Sequence, residues 1–366
     1  MPLVPLPFDA SHTDCEARAT ALLAALREGD DGALHLFKWN HPELVHGSFA
    51  EARDRAPRLG LPDARLVLAR SRAFENWDSM VAFTREVSRA GPVRSFEEAA
   101  DAVVDGALAR LSERLELDPT LVSARSVRRH RATLLHYLSA NGLELERQRS
   151  PSSALAVGRL LLDAGADPSA TARAYGGDCT TLSLLVSSVH PAEAGVQADL
   201  ALLLAERGAT LHPAVEGERA PLDVALSFGY LDTALRLVDA GAPVRTVDTA
   251  AALGLIDRVA ALWDTADDDA RHRAFALAAQ HGQAAVVRAL LARGADPGRF
   301  NPPGAHPHST PLHQAAFAGH AKVVDLLLEA GARTDVRDTV HAGTPLDWAR
   351  HAGHAAIAAR LADADT

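Results

Sequence analysis

Four arginines crowd one short stretch, Arg125-Ser126-Val127-Arg128-Arg129-His130-Arg131. The chain carries 37 basic against 47 acidic side chains, a formal net charge of −10. In that setting such a cluster would draw a carboxylate-rich or phosphate-bearing partner, because each guanidinium presents a planar pair of donors. The bland alternative is a solvated loop whose arginines pair with Glu113, Glu116 or Asp118. Seventeen histidines raise the question of a metal, and His306, His308, His313, His320, His341, His351 and His354 gather near the C-terminus. Zinc needs three or four ligands in tetrahedral array; no metal and no cofactor is expected here. A nucleophile with acid–base partners would be sought at Tyr175, Asp178, Cys179, His136 and His190, with Cys179 attacking and Tyr175 or a histidine moving the proton. No Gly-x-Ser-x-Gly, phosphate-binding loop, dinucleotide fingerprint or His-Glu-x-x-His is present, so catalysis is the secondary reading.

The elements that must position these groups repeat. Thr310-Pro311-Leu312-His313-Gln314-Ala315-Ala316-Phe317-Ala318-Gly319-His320 returns as Thr344-Pro345-Leu346-Asp347-Trp348-Ala349-Arg350-His351-Ala352-Gly353-His354, 34 positions on. Between them lies Val323-Val324-Asp325-Leu326-Leu327-Leu328-Glu329-Ala330-Gly331-Ala332. Apolar residues at helical spacing put one face of each short helix inward, proline opens the helix where no hydrogen bond is lost, and glycine supplies the left-handed residue that closes it. Weaker copies follow the same plan around Gly106, Gly142, Val189, Gly229, Gly254 and Gly282. A two-helix unit cannot bury its stripe alone and needs neighbours. Only 5% of the chain is aromatic, which suits a core of alanine and leucine layers.

The pattern resembles the ankyrin repeat, with its Thr-Pro-Leu-His inner helix, Val-Val-x-Leu-Leu-Leu outer helix and Gly-Ala turn into a finger loop. The resemblance implies an all-α fold: an α-solenoid of about eight units over 95–366. Residues 1–94 lack the signature and read as degenerate helical pairs capping the array, with 57–62 a linker inside them. Uneven spacing places insertions in loops at 142–153, 167–179, 190–197 and 296–309, the first a solvated hinge loop. Trp39, Trp77, Trp263 and Trp348 read as packing residues.

In ankyrin proteins partners are gripped by finger loops and by the exposed end of the inner helix. By register, that surface comprises Arg128, Arg129, His130, Arg131 and Asn141, then Tyr175, Asp178, Ser187 and Ser188, then Glu216, Glu218 and Phe228. It continues through Gln280 and His281, His306, His308 and Phe317, and ends at His341 and His351. His136 and His313 occupy the position that ties one repeat to the next. The resemblance therefore implies a protein- or peptide-binding scaffold, its partner acidic at the Arg125–Arg131 finger. The alternative is an unusual enzyme or small-ligand binder with a pocket under the long loops around 175 and 306. Net charge disfavours nucleic acid. No apolar run is long enough to span a membrane, and the opening MPLVPLPFDASHTD has no basic start or apolar core. A cytoplasmic protein of a GC-rich bacterium is the expectation.

Overall fold

The computed structural model describes residues 6–212 and 219–364. The chain divides into two compact units, Met1–Thr210 and Leu211–Thr366. Among the described residues it is mostly helical, and none of its helices is long and apolar enough to cross a membrane.

The first unit opens with helices His12–Arg27, Asp31–Asn40, Phe49–Arg55, Leu61–Ser71 and Trp77–Val87. Ser11 starts the first through a reciprocal cap: its Oγ accepts from Asp14 N at 3.2 Å while the Asp14 carboxylate accepts from Ser11 N at 3.0 Å. Their shared core is Leu22, Leu26, Leu34, Phe37, Val67, Met80, Phe83 and Val87. The stretch 57–62, expected to be a linker, is a 3-10 turn (Ala56–Arg58) leading into the next helix. Next comes the pair Pro92–Val104 and Leu108–Leu117, whose junction at Gly106 is held by Ser153 Oγ donating to Gly106 O at 3.0 Å.

Two departures from the expected pattern follow. The helix expected after Thr133 is a 3-10 segment, Leu134–Ser139, ended by Ala140 in the left-handed region. The fold is also not purely helical. Strands Thr171–Ala174 and Gly177–Thr180 form an antiparallel hairpin across a Tyr175–Gly176 turn, both turn residues at positive φ as a two-residue hairpin requires. Helices Thr181–Leu185, Val189–Glu193 and Gln197–Glu206 complete the unit, so the expected loop at 190–197 is partly helix.

The second unit is more regular. Helix pairs Pro221–Ser227/Leu231–Asp239, Val247–Ala252/Ile256–Trp263, Asp268–Gln280/Ala284–Leu291, Pro311–Phe317/Ala321–Glu329 and Pro345–His351/Ala355–Ala364 turn at Gly229, Gly254, Gly282, Gly319 and Gly353. The inner helices meet through Ala250, Ala251, Ala274, Ala278, Ala315 and Ala316; Val286, Leu290, Val323 and Leu327 close the core outside them. Orphan carbonyls at the inner-helix ends are satisfied by the next pair. Gln283 Nε2 donates to Ala252 O at 2.9 Å, His320 Nε2 to Gln280 O at 2.9 Å, and His354 Nε2 to Phe317 O at 3.0 Å.

A candidate partner-binding groove

In the second unit the last residues of successive inner helices come to one edge. Phe228 caps Pro221–Ser227, Gln280 and His281 end Asp268–Gln280, Phe317 ends Pro311–Phe317, and His351 ends Pro345–His351. The two loops leading into the last inner helices supply His306, His308 and His341 opposite them. Together these residues line one groove of about 1070 Å³, joined by Leu231, Gln314, His320, Asp347 and Trp348. Every described residue that the register assigned to recognition in this unit is on its wall. Glu216 and Glu218 lie outside the described residues.

The groove is held together by backbone carbonyls of one helix end. Gln280 Nε2 donates to Ser227 O at 3.2 Å, His281 Nε2 to Leu226 O at 2.7 Å, and His306 Nε2 to Ser227 O at 2.8 Å. Gln280 and His281 are buried, which corrects their assignment as exposed grips: they build the floor. The long loop before Thr310 does not stand free either. Arg219 Nη1 donates to Gly304 O at 3.3 Å and Arg273 Nη1 to Pro303 O at 3.0 Å, folding it onto the inner helices.

Rings form a continuous wall. His308, His313 and Phe317 lie 5.7, 5.2 and 5.8 Å from the Trp348 ring, and Phe317 stacks on His351 at 6.5 Å. Trp348 is therefore half-exposed groove lining rather than interior packing. Its Nε1 donates to Asp338 Oδ2 at 3.0 Å, and the same carboxylate accepts from the backbone of Val340, His341 and Gly343. Burial alone would raise the Asp338 pKa; the donors of His341, Trp348, Val340 and Gly343 overcome it and hold the carboxyl well below the usual range. Sequence reading missed Trp348, Gln314 and Asp338. Trp348 and Gln314 sit at the same repeat position, 34 residues apart, so the repeat period already paired them.

Chemically the groove is apolar and weakly polar. Among the described residues Asp347 is the one carboxylate on its wall, and no described lysine or arginine lines it. Burial pushes the His281 pKa down to about 4 and lowers those of His306 and His320, so these three imidazoles are neutral at physiological pH. Among the described residues no three His, Cys, Asp or Glu side chains are placed to hold a metal ion.

The first unit treats its chemistry-bearing residues differently. Arg128, expected on the surface, is 1% exposed. Its guanidinium reaches Glu97 Oε2 at 3.1 Å and Glu144 Oε1 at 2.9 Å, and Nη1 donates to Arg72 O at 2.8 Å. Arg147 joins from the other side, 2.6 Å from Glu97 Oε2 and 2.7 Å from Asp101 Oδ1. His130 is buried too, its Nε2 3.1 Å from Glu144 Oε1, and the Tyr137 hydroxyl donates to the same oxygen at 3.0 Å. The loop 142–153 is thus no solvated hinge: Glu144 and Arg147 are core residues. Burial raises the cost of ionising both glutamates, but Arg128 and Arg147 overcome it and lower the pKa of each.

Arg129 and Arg131 do face solvent. Arg125 donates to Arg131 O and Thr171 O rather than to the nearby acids. Asn141 Nδ2 donates to Leu184 O and Ser187 Oγ, each at 2.9 Å, and its side-chain oxygen accepts from the Tyr175 hydroxyl. Ser188 is buried, its hydroxyl 3.4 Å from Ala140 O, and is no contact surface. The residues of the enzyme reading do not assemble. Tyr175 and Asp178 are exposed along a cleft that His136, Cys179 and His190 do not line; His136 is sealed in the core with its Nδ1 bonded to Thr133.

These geometries stand beside likeness to known proteins. Residues 275–366 match the family model of ankyrin repeats, in three copies. Ankyrin repeats are generally protein-interaction modules. A stretch of 74 residues is 42% identical to the human ARF GTPase-activating protein GIT1, and to its mouse and rat counterparts. That stretch is 20% of this chain and 9% of the length of those relatives.

Proposed function

We propose that the chain is a peptide-binding scaffold whose C-terminal groove receives an extended or helical segment of another protein. The observation that carries this reading is the convergence of Phe228, Phe317, Trp348 and His351 on one open groove whose described lining carries almost no fixed charge. Exposed rings on a rigid wall bind apolar side chains at small entropic cost. Gln280, bonded to Ser227 O, keeps the floor beneath these rings fixed. In this reading the array counts about eight units over 95–366, by sequence register, and 1–94 acts as its N-terminal cap.

A random-peptide display selection against the whole chain tests it. Enriched peptides should lose about tenfold or more in affinity in Phe317→Ala and Phe228→Ala, the loss expected when a well-packed aromatic contact is removed. Both rings are exposed, so neither change should disturb folding. Selection that enriches nothing, or affinities equal in both variants and the parent, would remove the proposal.

A further inference from the structure

The first unit holds a second cleft, of about 1190 Å³, with the opposite chemistry. Trp39 and Tyr175, 52% and 75% exposed, stand on its walls. Two large rings facing one cleft gather apolar surface of the kind that marks an interaction site. Neither ring is loose. The Trp39 Nε1 donates to His35 Nε2 at 3.1 Å, and the Tyr175 hydroxyl is bonded to Asn141.

Three guanidiniums line the same cleft: Arg70, Arg129 and Arg173. No carboxylate of a described residue lies within ion-pair distance of any of them, although this chain has an excess of acids and pairs its buried arginines, Arg72, Arg128 and Arg147, with carboxylates. Arg70 Nε is shielded from solvent and has no hydrogen-bond partner among the described residues. Lys38 adds to the field from behind. It is buried, donates to Val45 O at 2.8 Å, and sits 4.2 Å from the centre of the Trp39 ring. Against these cations stand the exposed carboxylates of Glu75 and Asp178, which leave the lining net positive.

We propose that this cleft binds an acidic peptide segment whose carboxylates meet Arg70, Arg129 and Arg173 and whose neighbouring aromatic or apolar side chain lies between Trp39 and Tyr175. Planar guanidiniums pair carboxylates two donors at a time, and the rings supply apolar area that a free anion would not use. A nucleic acid fits less well: three cations neutralise too few phosphates to hold it against a net charge of −10. The site lies in a different unit from the groove and stands or falls without it.

Fluorescence anisotropy on the full chain tests this with three probes: a labelled glutamate-rich peptide with one central tyrosine, its glutamine counterpart, and a single-stranded RNA of matching charge. The acidic peptide should bind saturably, and its glutamine counterpart about tenfold more weakly or worse. Arg129→Ala and Arg173→Ala should each weaken the acidic peptide by about five- to tenfold and flatten its salt dependence. Both side chains are exposed and make no hydrogen bond among the described residues, so circular dichroism should be unchanged. Glu75→Gln should tighten binding, and Phe317→Ala in the groove should leave it alone. Equal binding of the two peptides, indifference to both arginine variants, or RNA binding tighter than the peptide would each overturn the proposal.

Discussion

In the second unit, helix pairs meet through alanines and valines, and most helix-end links between them are single histidine or glutamine side chains aimed at one carbonyl each, beside the Arg273–Asp248 pair. In the first unit, the corresponding interior around Tyr137 holds two arginines, two glutamates and a histidine within hydrogen-bond reach of one another. The difference follows from the loop between 142 and 153. Where the repeat is short, the hinge is a glycine and the next helix closes directly over the alanines. Where the segment 142–153 is inserted, the chain folds inward, and the charges it carries have to be matched. A regular array gets its specificity from shape, whereas the inserted segment is fixed by a particular set of partners. Buried ion pairs add little net stability over apolar replacements but are costly to break singly.

That contrast can be broken most severely at Leu327, which is fully buried between outer helices. Leu327→Asp places an unpaired charge there and should unfold at least the last two helix pairs. Hydrogen exchange should lose protection across 311–364 while 12–206 keeps its own. Loss spread evenly over both units would mean that they do not fold independently. The converse variant, Arg128→Leu, leaves Glu97 and Glu144 undercompensated and should cost about 3–5 kcal/mol. Its exchange losses should stay within the first unit; denaturant midpoints equal to the parent's would show that the network contributes nothing.

Acid separates the units more gently. Unfolded histidine titrates near 6.5, and burial holds folded His281 down at about 4. Between those values the unfolded chain binds more protons, so stability falls as pH is lowered through that window, by roughly 3 kcal/mol for this one residue. His272, His306, His313 and His320 in the same unit are also shifted down by burial. The first unit has His136, likewise near 4, but its Glu97 and Glu144 are shifted down from 4.5, and their contribution is lost only below that pH. At pH 5 the second unit should therefore lose more protection than the first. Equal losses would contradict the assignment.

The finest test uses two hinge glycines. A Cβ at Gly282, φ +70°, would lie 2.6 Å from His320 Nδ1, whereas one at Gly353, φ +78°, would meet nothing within 4 Å. Both alanine variants pay the backbone penalty of the left-handed region, of order 1 kcal/mol. Gly282→Ala should cost about 1 kcal/mol more in a denaturant titration, because it also displaces the imidazole bonded to Gln280 O. Identical midpoints would show that this inter-helix bond is not a determinant.

Much of the second unit was legible in the amino-acid order. Repeat period, hinge glycines and helix-end positions placed Phe228, Phe317, His306 and His351 on one edge, because a fixed repeat carries each position to the same place in every copy. The first unit was not legible in that way. Segment 125–131 alternates in exposure residue by residue, with Val127 outside and Arg128 inside, which reverses what side-chain polarity alone predicts. Trp39 is the same kind of exception: its helical context suggested burial, yet it is half exposed, with Phe49 set edge-on to its ring.

In the second unit local sequence thus determined the helix pairs, their hinges and the edge they share, since propensity, capping and apolar periodicity act over a few residues. Only the tertiary structure decided which arginine of an adjacent pair is core and which is surface. That choice depends on Glu97, 31 positions away from Arg128, and a charge enters the interior only where such a distant partner meets it.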